Sequence, residues 1–235
     1  MRKIFSSSSS FNSKYHPNIV YINGNKKDIV THSYYLNETE NVVELIWNNS
    51  IDNCQYIFIY CSDITEIDLS RFDTSQCISM MNIFHTCSSL TSINLSNFDT
   101  SQVTDISGMF LSCSLLTSLN LSNFNTSQVT NMCYMFSYCS SLTSLNLSNF
   151  ETSRVIYMYY MFKDCTNLEY INLQNFDENK LTYYDDMFKN VPNNVVIYIN
   201  KDKTNNTIFP QIKSKICYNI DNKGGISWTT NQLLH

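Results

Sequence analysis

Cysteine is the residue type whose number and spacing most strongly raise the question of chemistry in this sequence. The chain has 235 residues and nine cysteines, an odd number. Five of them share one position that recurs every 26 residues, and no pair shows the C-x-x-C spacing of zinc sites or thioredoxin-like redox centres. We therefore predict neither a metal site nor a redox centre. The five are Cys61, Cys87, Cys113, Cys139 and Cys165.

The regular cysteines admit two interpretations. If the 26-residue units stack about 4.8 Å apart, neighbouring cysteines come within disulfide range. However, five members cannot all pair among themselves, and Val191 takes the equivalent position one unit later. This replacement favours a small buried hydrophobic residue. Cys54, Cys77, Cys133 and Cys217 are irregular, and whether any disulfide forms stays open.

Catalytic patterns are missing from the sequence. No H-E-x-x-H, G-x-S-x-G, P-loop or dinucleotide-binding motif occurs. The histidines His16, His32, His85 and His235 are scattered, and each is most simply a surface residue. We therefore predict a protein that is not an enzyme and has no cofactor, metal or catalytic residue, with a hydrolase kept as an outside alternative.

Charge and hydropathy exclude two further classes of partner. Only 15% of the residues are charged, and 15 Lys+Arg against 20 Asp+Glu give a net charge of -5, which argues against nucleic-acid binding. No stretch approaches the roughly 20 apolar residues of a membrane-spanning helix. The opening MRKIFSSSSS also lacks the apolar core of a signal peptide. We expect no direct membrane insertion and no export signal in this chain.

A 26-residue repeat organises most of the sequence, and its register never slips. Such a period is typical of stacked repeat proteins, in which one unit cannot bury its apolar face alone. Phenylalanine recurs at one position of all six units and leucine or isoleucine at another. We number the units blocks 1 to 6; they begin at Ile46, Phe72, Phe98, Phe124, Phe150 and Phe176.

Within a block the apolar spacing predicts a short helix followed by a strand. In block 4, apolar residues from Val129 to Phe136 fall at i, i+3, i+6 and i+7, one face of a helix. Leu145 and Leu147 then alternate with polar residues, as in a half-buried strand. Asn125 with Gln128 resembles a helix-capping box. Six stacked blocks predict an α/β solenoid with a parallel sheet on one side and helices on the other; the competing architecture is a parallel β-helix.

Four regions follow from these patterns. Residues 1–15 are predicted to be a flexible, Ser-rich leader, and 16–45 an N-terminal β cap. Residues 46–201 form the repeat array, and 202–235 a C-terminal cap and tail.

Two sets of exposed side chains are candidates for ligand binding. The polar residues between the buried leucines point to the open face of the predicted sheet, where they form either a binding surface or a hydrogen-bonded ladder along the stack. They are Ser92, Asn94, Ser118, Asn120, Ser144, Asn146, Tyr170 and Asn172. Tyrosines on the predicted helix side form a second candidate contact patch, since tyrosine gives rigid amphipathic contact area. They are Tyr134, Tyr138, Tyr157, Tyr159 and Tyr160; Tyr56, Tyr60 and Tyr183 are predicted to lie on the same exposed side.

The string MF-x-x-C-x-x-L-x-x-L-x-L-S-N-F-x-T-S-x-V, at 109–129 and 135–155, resembles the BspA-like leucine-rich repeats of bacterial and protist surface proteins. The resemblance covers Ile46 to Lys201. It implies a leucine-rich-repeat horseshoe, with its sheet concave and its helices convex, and a non-enzymatic role in adhesion or in binding a protein or glycan at the cell surface. Because no export signal is evident, the alternative is a cytoplasmic leucine-rich-repeat scaffold for protein–protein interaction. The sequence leaves the ligand and the oligomeric state unknown.

Overall fold

The chain folds as short strands and turns in several small sheets. The structure is a computed structural model that describes residues 2–5, 13–36, 38–204 and 207–212, together with the backbone of 216–220 and 226–228. α-Helix is confined, within these residues, to α1 (Lys201–Thr204) and α2 (Ile208–Ile212). Helix makes up about 4% of the chain and none lies in the region of the predicted block helices. The predicted α/β leucine-rich-repeat horseshoe, with convex helices and one concave parallel sheet, is therefore wrong.

The N-terminal region contains two antiparallel sheets. A short pair joins the first residues of the chain to 33–34, and a hairpin turns at Asn23 and Gly24, which both have positive φ as a tight hairpin turn requires. The elements are β1 (Arg2–Lys3), a 3-10 turn (Ser13–Tyr15), β2 (Ile19–Ile22), β3 (Asn25–Lys26), β4 (Ser33–Tyr34) and β5 (Val43–Ile46). β2 lies between β3 and β5, so the residues just before block 1 pair with the hairpin.

The strands of the blocks pair in parallel, each with the equivalent residues one block away. They are β6 (Glu66–Asp68), β7 (Ser92–Asn94), β8 (Ser144–Asn146), β9 (Tyr170–Leu173) and β10 (Val196–Ile199). β6 pairs with β7, and β8, β9 and β10 form a second group. Residues 118–120 of block 3, which lie between the two groups, are not in a strand. The strand side is therefore two small sheets rather than one continuous sheet.

The segments predicted to be helices are chains of turns whose hydrogen bonds run in two directions. The N–H of Phe136 donates to the carbonyl of Met161 in the next block, at 2.9 Å. The N–H of the next residue, Ser137, donates to the carbonyl of Tyr134 in its own block, at 3.1 Å. An α-helix needs each N–H to bond the carbonyl four residues earlier. Since alternate N–H groups leave the segment for the neighbouring block, no helix can form.

Two residues in each of these segments have left-handed backbone geometry. In block 4 they are Tyr134 (φ 58°) and Tyr138 (φ 60°), and the same two positions have positive φ in every block. Left-handed residues reverse the local path of the chain, so the segment coils back instead of continuing as a right-handed helix. The i, i+3 and i+7 apolar spacing comes from this series of turns.

Stacked side chains form the core. Phenylalanine rings at the shared position lie with centroids 5.3 to 5.9 Å apart from one block to the next. The sequence-predicted burial of both apolar ladders is confirmed, because all twelve members are buried. The members are Phe58, Phe84, Phe110, Phe136, Phe162 and Phe188, and Leu69, Leu95, Leu121, Leu147, Leu173 and Ile199.

Buried polar side chains join adjacent blocks. The Thr126 hydroxyl donates to the carbonyl of Glu151 at 3.0 Å and accepts from its N–H at 2.7 Å, and the equivalent threonines of blocks 2, 3 and 5 do the same. The Asn149 side-chain amide donates to the carbonyls of Leu121 and Phe124, at 3.0 and 2.9 Å. These bonds satisfy backbone groups that the short strands leave unpaired.

In block 6 a carboxylate replaces this threonine and ties the C-terminal segment to the array. Glu178 Oε2 accepts from the N–H groups of Thr207 and Ile208, both at 2.9 Å, at the start of α2. The sheet continues beyond β10 with β11 (Ile216–Ile220), which is parallel, and β12 (Ile226–Trp228), which is antiparallel.

Candidate functional site

Tyrosines from blocks 4 to 6 form an aromatic cluster on the turn side of the stack. Tyr134 contacts Tyr159 and Tyr160, with ring centroids 5.1 Å away in both cases. Tyr157 stacks on Tyr183 of the next block at 4.8 Å. We call the following set the tyrosine surface: Tyr134, Tyr138, Tyr157, Tyr159, Tyr160, Tyr183 and Lys163.

A lysine links two of the tyrosines. Lys163 Nζ lies 4.9 Å from the centre of the Tyr160 ring and 5.3 Å from that of Tyr138. It also lies 4.0 Å from a carboxylate oxygen of Asp164. Cation–π contacts and a nearby carboxylate hold the ammonium group in place. The side chains that surround this lysine are therefore ordered before any ligand arrives.

Exposure differs across the tyrosine surface. Tyr138, Tyr157 and Tyr183 are 45%, 37% and 48% exposed, whereas Tyr134, Tyr159 and Tyr160 are half-buried. Each exposed ring has a neighbour: Tyr138 contacts the Lys163 ammonium group, and Tyr157 and Tyr183 stack on each other. These contacts limit side-chain freedom before binding, which lowers the entropic cost of an interface.

The hydroxyl groups of Tyr134 and Tyr159 stay protonated over the physiological range. Burial, with Cys133 nearby, raises the pKa of Tyr159 to about 12. Burial and the neighbouring Tyr160 raise the pKa of Tyr134 as well. A protonated phenol donates and accepts hydrogen bonds but is a poor nucleophile. The chemistry available here is recognition by hydrogen bonds and ring contacts.

Backbone geometry makes tyrosine an unfavourable choice at three of these positions. Tyr134, Tyr138 and Tyr160 have φ of 58°, 60° and 59°. Left-handed geometry is tolerated by Gly, Asn and Asp but is disfavoured for bulky side chains. Block 1 also has tyrosines at the same two positions, Tyr56 and Tyr60, whereas the remaining members are smaller residues: Asn82, Thr86, Gly108, Ser112, Asp164, Asp186 and Asn190. Tyrosine at these positions is not required by the fold.

The predicted polar row on the strand side is only partly brought together. Ser144 pairs with Tyr170 and Asn146 with Asn172 on adjacent strands. Ser92 and Asn94 pair instead with Glu66 and Asp68, and Ser118 and Asn120 lie outside the strands. The six residues from blocks 2 to 4 are exposed, and Tyr170 and Asn172 are half-buried. Ligand binding by this row stays a prediction.

The asparagines of this row bond within their own block. Asn120 Oδ1 accepts from the N–H of Ser122, two residues later, at 3.1 Å, and Asn94, Asn146 and Asn172 do the same with their followers. A different asparagine, the one just before the block phenylalanine, forms side-chain hydrogen bonds along the stack, as Asn149 does. The recurring N-F pair was the sequence signal for these asparagines, and sequence reasoning missed it.

The regular cysteines are buried thiols and the irregular pair Cys54–Cys77 forms a disulfide between blocks 1 and 2, with Cα atoms 5.8 Å apart. Each thiol from Cys87 to Cys165 donates to the carbonyl of a phenylalanine in the preceding block, at 3.1 to 3.2 Å. Burial raises the pKa of Cys87 to about 12. The thiols therefore pack and bond within the core and are poorly reactive.

Two of the histidines are not independent surface residues. The rings of His16 and His32 lie 4.7 Å apart, and both contact Phe5 near the N-terminus. Burial and the neighbouring His32 lower the pKa of His16. His85 is half-buried against Tyr60, and His235 lies outside the described residues. The contacts of His16 and His32 with Phe5 hold the first residues of the chain against the rest of the N-terminal region.

Sequence reasoning missed one member of the tyrosine surface, Lys163, which is three residues after Tyr160. Tyr183, 26 residues after Tyr157, was named among the exposed tyrosines of the predicted helix side. Lys163 carried no signal, since nothing in its spacing shows that its ammonium group reaches two rings in different blocks.

The comparison with known families covers most of the chain. Residues 28–120 and 112–208 each match the model of DUF285, described as a Mycoplasma protein of unknown function. No curated protein and no solved structure matches the chain. DUF285 is a repeat family related to BspA-like surface proteins, so the resemblance noted from the sequence is confirmed at this level, without the leucine-rich-repeat assignment. Neither of the two described α-helices is long enough to span a bilayer. The chain belongs to the DUF285 family.

Proposed function

We propose that this chain is a non-enzymatic binding module that recognises a protein or glycan at the cell surface through its tyrosine surface. The observation that carries the proposal is the set of clustered tyrosines at left-handed backbone positions. Such geometry costs on the order of 1 kcal/mol for a bulky residue. Asparagine or glycine at the same position in other blocks avoids this cost, so the tyrosines need a reason outside folding.

The packing of the tyrosine surface supports a role in contact. Tyr138, Tyr157 and Tyr183 are partly open to solvent; Lys163 contacts the first ring, and the other two rings stack on each other. Tyrosine is enriched in interfaces because one side chain offers both apolar area and a hydrogen-bonding group. Held rigidly, these groups bind without ordering a loop or a long flexible side chain.

Tyrosines at the equivalent positions of block 1 provide an internal comparison. Tyr60 (φ 60°) contacts residues of this chain, with Lys3 Nζ 5.4 Å from the centre of its ring and His85 beside it. In block 1 a left-handed tyrosine therefore holds the N-terminal strand. Tyr138 of block 4 has Lys163 on one side and is 45% exposed, similar to the 51% of Tyr60. Tyr138 differs in that the same lysine also contacts Tyr160, so its ring belongs to a group of tyrosines from two blocks.

The groups of the tyrosine surface favour binding over catalysis. Burial raises the pKa of Tyr134 and of Tyr159, which keeps these two phenols protonated, and the Lys163 ammonium group contacts two rings. We infer that the chain is not an enzyme. The disulfide between blocks 1 and 2 fits a location outside the reducing cytosol, where such bonds persist. Location at the cell surface is part of the same proposal, in keeping with the family relationship.

A mixed array of glycans and peptides tests the proposal. The labelled chain is applied alongside Y138N and Y157S, with Y60N as the matched control. We expect at least one class of probe to bind the native chain and the control, and to bind Y138N and Y157S more weakly. Binding that both surface variants retain in full, or no binding to any probe, would contradict the proposal. Melting temperatures of all four proteins show that the comparison is made between folded chains.

A further inference from the structure

We propose that the ligand of the tyrosine surface is an uncharged, extended polysaccharide that lies along the stacking axis with about one sugar ring per block. This inference rests on the proposed function and names the class of ligand for the same surface. Three observations carry it: the spacing of equivalent rings, the chemistry of the exposed groups, and the balance of charge around Lys163.

The spacing of the rings sets the repeat of a matching ligand. Tyr157 and Tyr183 are separated by 4.8 Å, and Tyr134 and Tyr160 by 5.1 Å. Both pairs are stacked nearly parallel, so a ligand along the stack meets ring edges and hydroxyl groups rather than ring faces. A ligand that places one unit at each block needs a repeat of this length, which is close to that of one pyranose unit in an extended β-linked chain whose successive units turn alternate faces to the protein. A peptide strand places same-side residues about 6.6–6.8 Å apart. It falls out of register with the tyrosines after one block.

The exposed groups match the surface of a sugar. Each tyrosine offers an apolar ring next to a hydroxyl group, and a pyranose offers C–H groups next to hydroxyls. Beside them the Asn190 side-chain amide donates to Asp164 Oδ1 at 2.7 Å. A carboxylate accepts several hydrogen bonds at once and an amide both donates and accepts, so this pair retains capacity for sugar hydroxyls. Aromatic area and fixed polar groups thus lie at the same edge of the stack.

The charge balance argues against an anionic ligand. Lys163 lies near Asp164, and Lys189 is bonded to Asp186 at 2.7 Å. Asp185 is a further exposed acid in the same turn segment as Asp186. Acidic groups therefore match or outnumber the two lysines here. A sulfated or phosphorylated polymer would meet no uncompensated positive charge, whereas an uncharged glycan meets no repulsion.

The test is a titration of the full chain with cellohexaose and with chitohexaose, followed by calorimetry or by tyrosine fluorescence. We expect at least one hexaose to bind about tenfold more tightly than the corresponding disaccharide, because the longer chain reaches rings of successive blocks. Y157S and Y160N are expected to weaken hexaose binding about tenfold. Y60N changes a left-handed tyrosine outside the surface and is expected to leave it unchanged.

Several outcomes overturn the inference, and they separate it from the proposed function. If neither hexaose binds at millimolar concentration, or if binding is the same in Y157S and Y160N, the glycan assignment is wrong. If an extended peptide or heparin binds in a manner that these variants abolish, the surface is a binding site for another class of ligand, and the proposed function stands. If no probe depends on the surface, both fail.

Discussion

The outer turns of blocks 2 and 3 have the same left-handed backbone geometry as those of blocks 4 and 5 but carry different side chains. At the first left-handed position φ is 56° in Asn82, 59° in Gly108, 58° in Tyr134 and 59° in Tyr160. The backbone geometry is thus independent of the side chain it carries. Where blocks 2 and 3 have residues suited to the turn, blocks 4 and 5 have tyrosines that suit it poorly. We infer that the stacked turns provide the same backbone in each block, and that the choice of outer side chain reflects a requirement other than folding.

The largest expected effect tests whether the phenylalanine ladder contributes equally to stability in the two regions. Phe84 in block 2 and Phe136 in block 4 are both fully buried in the phenylalanine ladder. Truncation of either to alanine removes a stacked ring and leaves a cavity, so we expect each variant to lose about 3–5 kcal/mol of unfolding free energy. Urea unfolding measures both. Costs that differ by more than about twofold would show that the two halves are not equivalent.

The next effect is the loss of stability on removing the disulfide, which is present between blocks 1 and 2 but not in blocks 4 and 5. The Cys54–Cys77 disulfide joins blocks 1 and 2, and replacing both cysteines with alanine is expected to cost about 3 kcal/mol. In a stacked array each unit contacts only its neighbours, so hydrogen exchange should rise in blocks 1 and 2 and stay unchanged in blocks 4 and 5. Uniform acceleration would contradict this. Thiol titration of the denatured, unreduced chain should find at most seven reactive cysteines of nine.

A smaller effect tests the threonine ladder in the two regions. Thr100 and Thr126 each exchange two hydrogen bonds with the next block. Valine has nearly the same shape but leaves a buried N–H and carbonyl without this partner, so T100V and T126V should each lose about 1–2 kcal/mol. Thermal unfolding checks both variants. A loss confined to one of them would show that the ladder is not shared by the two regions.

The smallest expected effect has the opposite sign. Asparagine tolerates left-handed geometry, so Y138N should gain up to about 1 kcal/mol of stability or leave it unchanged. The same variant is expected to weaken ligand binding. Y60N is the control in the same backbone position, although it also loses the Lys3 contact. A marked fall in the melting temperature of Y138N would show that this tyrosine serves folding, and the comparison between the blocks would fail.

The sequence predicted the repeat and the core better than the secondary structure. Phe136 and Leu147 recur at fixed positions and are buried as expected. The helix between Val129 and Phe136 was wrong because turns with hydrogen bonds between residues three apart produce the same apolar spacing as one face of a helix. Periodicity within one block does not show where its N–H groups go. In the structure alternate groups bond to the neighbouring block.

The candidate site could be predicted only in part. Its tyrosines were named from their predicted exposure on the outer face, although that face was expected to be helical. The left-handed geometry of Tyr134, Tyr138 and Tyr160, which is the strongest reason to assign a function, was invisible in the sequence. The polar row from Ser92 to Asn172 was predicted from strand alternation. Its division between two sheets depends on block 3, where 118–120 do not form a strand.

The sequence by itself determined the 26-residue period, the residues that face inward and the low charge of the exposed positions, because these depend on residue type at fixed spacing. Three features are seen only in the tertiary structure: the blocks contain turns rather than helices, Cys54 is bonded to Cys77, and Lys163 contacts both Tyr138 and Tyr160. They could not be predicted because each feature depends on a bond or contact between neighbouring blocks. Such contacts are set by how one block stacks on the next.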